Sequence, residues 1–164
     1  MVRLASFCAR PRVLQVSAVA ISRLGNGGIY FVLAIFMFFR LGRGAINVIA
    51  VAACHITALH AVYPSLKRWV ARRRPYAIDR NLPCLLAVLD EHSFPSGHVM
   101  TLAAALVPLV YVDPASTNYG AGLLVVMAWG RVASSHHYPS DVLAGALIAV
   151  ATGYPIADAW FGRP

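Results

Sequence analysis

Apolar residues run in long blocks along this chain, and each block stops at a short cluster of glycine, proline or charge. Val13 to Leu24 is the first such block, with Arg23 near its end, and Gly25-Asn26-Gly27-Gly28 breaks it. It reads either as a stubby membrane span or as an amphipathic helix lying at the interface. Ile29 to Phe39 is dense in aromatics and is closed by Arg40 and Arg43. Ala45 to Leu66 carries no charge and predicts the cleanest crossing helix. Within it His55, Thr57 and His60 must face other helices or water, because lipid offers them no partner. Beyond one long polar stretch, Lys67 to Pro95, further helices are predicted over Gly97 to Val112, Tyr119 to Val132 and His137 to Phe161. Asp113-Pro114 ends the first of these. The last has Pro139 at a first-turn position and Gly145, Ala149 and Gly153 at a spacing that lets helices pack closely in lipid.

This pattern predicts an all-α integral membrane bundle: one domain over residues 1–164, five to six transmembrane helices, and a polar loop between the third and fourth. Composition agrees, since 59% of the 164 residues are apolar and only 12% are charged, against about a quarter in soluble domains. Too few polar side chains exist to cover a water-soluble globule. Residues 1–12 show no cleavage signal and are read as part of the mature chain. Fourteen Lys and Arg stand against six Asp and Glu, a net charge of +8, and such a surplus attracts phosphate in some form. Nucleic acid is not the expected partner, because the basic residues lie between apolar runs and form no tail or soluble face. Cys8, Cys54 and Cys84 form no paired framework. No cluster of Asp, Glu, His or Cys has metal-ligand spacing, so neither a metal nor another cofactor is expected.

The strongly polar residues gather at three points, each beside the end of an apolar run. They are Lys67 to Pro75, Ser93 to His98, and Arg131 to Asp141. If each run crosses once, the end of Ala45–Leu66, the start of Gly97–Val112, Arg131 and His137 all arrive at the same membrane face. Charged side chains inside a bilayer cost roughly 2.5–3.5 kcal/mol each on insertion scales and are usually functional. Arginine and lysine together suit the oxygens of a phosphoryl group. Ser96-Gly97 at a helix start adds backbone N–H groups and the positive end of the helix dipole. His137 and Asp141 are four apart, so the carboxylate can hold one imidazole nitrogen as N–H and leave the other free to attack phosphorus. His98 can protonate the leaving alkoxide. The set describes metal-free phosphoryl transfer, with arginines neutralising charge as magnesium does elsewhere.

These segments resemble the three signature motifs of the type 2 phosphatidic acid phosphatase family, which includes the vanadium haloperoxidases. Lys67, six residues, then Arg74-Pro75 match the first; Pro95 to His98 match the second; Arg131, His137 and Asp141 match the third. Gly130 stands where the family usually has a serine before the arginine. The resemblance implies His137 as the nucleophile that forms a phosphohistidine, Asp141 orienting it, and His98 as general acid and then base. It implies Lys67, Arg74, Ser96, Gly97 and Arg131 as phosphate ligands.

The function expected is a membrane lipid phosphatase acting on a lipid phosphate or diphosphate monoester, with polyprenyl phosphate or diphosphate favoured over phosphatidate, phosphatidylglycerophosphate or a lipid A-type headgroup. A haloperoxidase is disfavoured because those relatives are long and soluble. A non-catalytic lipid-phosphate binding or transport protein is the reading from another class, and the His137–Asp141 pair argues against it. Membrane lipids are the surrounding partners, and the site is expected on the outer face of the plasma membrane. Arg68, Arg73 and Arg80 read as interfacial anchors, while Arg72 fits either an anchor or the site. His136 reads as a packing residue, and Asp90, Glu91 and His92 as a solvated loop edge.

Overall fold

The computed structural model describes residues 11–82, 84–87 and 90–162. The helices are α1 (Arg12–Leu24), α2 (Gly28–Leu41), α3 (Ala45–Val70), a single turn α4 (Pro75–Ile78), α5 (Gly97–Val112), α6 (Thr117–Ala133) and α7 (Pro139–Phe161). Short 3₁₀ turns at Gly42–Gly44 and Pro114–Ser116 join α2 to α3 and α5 to α6. No strand occurs among the described residues. The boundaries follow the apolar blocks closely, with two differences. α3 runs on through Lys67 and Arg68, which carries the first basic cluster to the helix end. α7 starts at Pro139, so His137 sits in the preceding loop and not in the helix.

α5 is the centre of the bundle. Eleven of its sixteen residues are buried, as expected of a helix that is apolar all round, and α3, α6 and α7 pack around it. Its contact with α7 is the most extensive in the molecule and uses the small-residue stripe: Gly145, Ala149, Gly153 and Ala157 are all buried. A Cβ at Gly145 would stand 2.7 Å from the Ser96 carbonyl oxygen, so the bare backbone is what allows α7 to meet the start of α5. The histidines of α3 find partners on neighbouring helices: buried His55 has Nε2 2.9 Å from Thr152 Oγ1, and exposed His60 has Nε2 2.8 Å from Thr101 Oγ1. Phe31, Phe39, Leu143, Leu147 and Trp160 point outward, which suits a lipid-facing surface and not a watery one.

α1 and α2 do not fold back on each other as a hairpin. They follow one another along α6: Ile21 packs at Gly130, Gly25 at Met127, and Phe36 at Tyr119, with ring centroids 5.8 Å apart. Arg40 then reaches Asp113 at the far end through two hydrogen bonds of 2.8 and 3.0 Å. The 13 and 14 residues of the two helices together cover about 40 Å, enough for one passage across a bilayer. The passage is broken at residues 25–27, where Gly27 has φ 152°, a conformation that favours glycine. An apolar cavity of about 470 Å³ opens below the break, lined by Ile29, Leu33 and Phe36 of α2, Leu106 and Leu109 of α5, and Leu123 and Val126 of α6.

Candidate active site

At one end of the bundle the chain gathers side chains that the membrane would otherwise reject. Lys67, Arg74, Ser96, Arg131, His137 and Asp141 are all buried. α3 delivers Lys67 in its last turn, and the chain leaves α3 through Ala71 at φ 48° to bring back Arg72 and Arg74. The backbone of Arg72 accepts a hydrogen bond from the Ser93 N–H at 2.7 Å, which ties the first basic cluster to the segment leading into α5.

His137 is placed by the end of α6. Ser135 adopts a left-handed conformation with φ 60°, and the chain turns so that the N–H groups of His136 and His137 both donate to the Arg131 carbonyl, at 3.3 and 3.2 Å. Arg131 and His137 are thereby locked together through the backbone. The His137 ring is oriented by its Nδ1, which donates to the Ser93 carbonyl at 2.6 Å. Asp141 Oδ2 stands 3.8 Å from the same nitrogen, close enough for charge attraction and too far for a hydrogen bond. Asp141 instead accepts from the Tyr138 N–H at 2.8 Å and from Arg72 NH1 at 2.8 Å. With Nδ1 engaged, Nε2 is the nitrogen left with a lone pair. Burial pushes His137 well below the ordinary imidazole range, and the Arg131 and Arg74 charges add to this against the opposing pull of Asp141. His136, also lowered by burial, to about 4, packs its ring against Tyr76 with centroids 5.6 Å apart.

The cations are unequally occupied. Lys67 Nζ donates to Asp90 Oδ1 at 2.7 Å, Asp90 Oδ2 at 2.8 Å and the His92 carbonyl at 2.9 Å. Arg74 donates from NH2 to Asp90 Oδ1 at 3.0 Å, from Nε to the Asp90 carbonyl at 3.0 Å and from NH1 to the His136 carbonyl at 3.1 Å. Burial alone would raise the Asp90 carboxyl. The hydrogen bond from Lys67 and the charges of Lys67 and Arg74 outweigh it and hold the group below its usual value. Two buried donors stand apart from this network: Arg131 Nε and Ser96 Oγ have no hydrogen-bond partner among the described residues. A buried orphan costs roughly 1–3 kcal/mol, which an anion reaching these two atoms would relieve. The Ser96 N–H itself is taken by the Asp141 carbonyl at 3.0 Å, leaving the hydroxyl to serve. A Cβ at Gly97 would stand 2.5 Å from the Tyr63 hydroxyl, which accounts for glycine following Ser96. Lys67 Nζ in turn lies 4.9 Å above the Tyr63 ring centre.

A family model, the PAP2 superfamily, matches residues 41–163. The chain belongs to the PAP2 superfamily. All three basic and histidine-bearing segments lie inside the matched stretch of this PAP2 protein, and α1 and most of α2 lie outside it. Among curated proteins it is 32% identical over 127 residues to the decaprenylphosphoryl-5-phosphoribose phosphatase of two Mycobacterium tuberculosis strains. That alignment takes in 69% of this chain, which spans 62% of the length of those relatives. Among solved structures, the crystal structure of Aquifex aeolicus LpxE superposes with a TM-score of 0.70 at 26% identity, covering 94% of this chain and 91% of that one. The transmembrane PAP2-type phosphatidylglycerolphosphate phosphatase from Bacillus subtilis shares the fold, with a TM-score of 0.65 at 23% identity over 94% of this chain and 80% of that one.

The structure thus draws Lys67, Arg74, Ser96, Arg131, His137 and Asp141 into one connected cluster. His98 lies at its margin in the first turn of α5, with Nε2 2.7 Å from Asn26 Oδ1. Sequence reasoning missed Asp90, Ser93, Tyr63 and Asn26. Asp90 had a signal, as an acid among basic residues, but looked like a solvated edge. Ser93 acts through its carbonyl, which leaves no trace in residue type. Arg72, left open by the sequence, is the outer partner of Asp141 and also stacks over the Tyr138 ring at 3.9 Å.

Proposed function

We propose that this PAP2 protein is a metal-independent membrane phosphatase that removes phosphate from a lipid through a phosphohistidine on His137. The observation that carries the reading is the buried His137 ring, fixed at Nδ1 by the Ser93 carbonyl, beside buried donors that lack partners. The Nε2 lone pair attacks phosphorus, and the bond between phosphorus and the lipid oxygen breaks. His98 gives the departing oxygen a proton. Water then attacks the phosphohistidine, loses a proton to His98, and releases inorganic phosphate with His137 restored. Arg131, Arg74, Ser96 and Gly97 hold the equatorial oxygens, and Lys67 joins them when Asp90 yields. Asp141 steadies the imidazole electrostatically as charge develops on it. The positive charge that offsets the transition state comes from the chain itself.

Charge balance refines the substrate. Arg72 and Asp141 neutralise each other, while Lys67, Arg74 and Arg131 face Asp90 alone, leaving two positive charges. That matches the dianion of a phosphate monoester better than the larger charge of a diphosphate. A polyprenyl anchor is favoured: the mycobacterial relatives carry decaprenylphosphoryl-5-phosphoribose in their name, and the apolar cavity along α2 gives such a tail a place to lie. The outer face of the plasma membrane belongs to the same reading. Purified protein in detergent, given a panel of polyprenyl phosphate, polyprenyl diphosphate, phosphatidate and phosphatidylglycerophosphate, should release inorganic phosphate in excess EDTA and be blocked by vanadate. Activity abolished by chelator and restored by magnesium would defeat this mechanism, and lipid-phosphate binding without phosphate release would turn it into a binding protein.

A further inference from the structure

We infer that Asn26, at the break between α1 and α2, is a positioning residue for His98: it holds Nε2–H and leaves Nδ1 as the atom that exchanges protons with the substrate. The inference rests on the acid–base role given to His98 above. Three observations carry it. Asn26 Oδ1 lies 2.7 Å from His98 Nε2, and the amide oxygen can only accept, so Nε2 carries the proton in both charge states of the ring. The backbone beside it is pressed against the imidazole: a Cβ at Gly25 would stand 2.7 Å from His98 Cδ2, so the edge bearing Cδ2 and Nε2 is covered by the break. The Ser22 backbone, in the last turn of α1, is a further hydrogen-bond partner of the ring, so the same segment holds His98 twice, and no side-chain hydrogen bond engages Nδ1 among the described residues. Residues 25–27 are unwound between α1 and α2, and irregular backbone inside a membrane bundle is tolerated where it lines a site.

The contact answers a chemical need. A ring that first donates and later accepts a proton at one nitrogen must keep the other protonated throughout, or its two tautomers exchange and the wrong lone pair faces the substrate. Ser93 does this for His137, and Asn26 does it for His98. In the first step the Nδ1–H bond breaks as the lipid oxygen takes the proton. In the second, Nδ1 takes a proton from the attacking water. Asn26 Oδ1 keeps its hydrogen bond from Nε2–H through both. Asn26 lies outside residues 41–163, the stretch that the PAP2 family model matches, so the segment before the shared core contributes to the shared chemistry here.

The test compares wild type, His98→Ala, Asn26→Leu, Asn26→Asp and the double variant Asn26→Leu/His98→Ala in detergent, on a long-chain alkyl phosphate and on 4-nitrophenyl phosphate. Loss of one hydrogen bond of this kind should slow phosphate release from the alkyl substrate about tenfold. The first step with nitrophenyl phosphate, whose leaving group needs no acid, should be spared. Asn26→Asp keeps an acceptor and should restore the alkyl rate, and the double variant should be no slower than His98→Ala. Full alkyl activity in Asn26→Leu, or equal loss of the first step on both substrates that adds to the His98→Ala loss, overturns the inference. If Asn26→Leu does not yield monodisperse protein, Asn26→Ser, too short to reach Nε2, carries the same comparison. An unimpaired His98→Ala would remove the role given to His98 itself, and this inference with it.

Discussion

Asp90 grips Lys67 with both carboxylate oxygens, at 2.7 and 2.8 Å. The His92 carbonyl takes the third ammonium proton, so the lysine has no donor left for a ligand. The same carboxylate binds Arg74 and so occupies the place where a phosphate would meet both cations. Asp90→Asn keeps the shape and the acceptor for the His92 N–H while removing the competing charge. Vanadate and inorganic phosphate should inhibit this variant several-fold more tightly than wild type. Weaker inhibition would show that Asp90 holds the cations in place instead of shielding them.

Arg74 uses three of its five donors within the protein, and a lysine cannot reproduce that fork. Arg74→Lys and Arg131→Lys should each lower kcat/KM by roughly 10- to 100-fold, as expected for charge-assisted hydrogen bonds worth about 1.5–3 kcal/mol. Arg68→Lys should be close to neutral. Three equally harmless substitutions would place the phosphate elsewhere.

The roles proposed for His98 and His137 separate by trapping. With labelled 4-nitrophenyl phosphate, His98→Ala should still be phosphorylated and then stall, because activation of water is lost. An acid-labile phosphate should accumulate on His137, seen by mass spectrometry, and His137→Ala should trap none. Label on His98 would reverse the two roles.

Burial keeps His136 and His137 neutral in the folded protein, with both pKa values pushed below the ordinary 6.5. The unfolded chain therefore binds more protons than the folded one as pH falls through 6.5, and folding stability is lost in that direction. The melting temperature in detergent should drop between pH 7 and pH 5, and His136→Gln should flatten the drop. A melting temperature that rises toward pH 5 would contradict the burial of these rings as neutral groups.

Helices and chemistry were legible in this sequence to different depths, for physical reasons. The apolar blocks set α5 to the residue and α3, α6 and α7 to within four residues, because lipid demands continuous apolar helix. The basic and histidine positions stood out because a membrane chain has little other use for them. Asp141 was legible as a partner of His137, yet its hydrogen bonds go to Tyr138 and Arg72, a choice made by the turn into α7. Ser93 and Asn26 were not legible: one works through its backbone, and the other sat in a run that looked like a plain breaker. The joint course of α1 and α2 along α6 depends on which helix accepts Ile21, Gly25 and Phe36, which no local pattern encodes.

α5 is walled off by α3, α6 and α7, yet His98 in its first turn is tied to Asn26 on the exposed break between α1 and α2. Bilayer thickness and fluidity act on a protein through the side chains that lipids press upon, and those belong mainly to the outer helices. The bundle interior is therefore mechanically insulated from its solvent, while one hydrogen bond at the site is not. Turnover should respond to bilayer thickness at constant headgroup, and the response should be lost in Asn26→Leu.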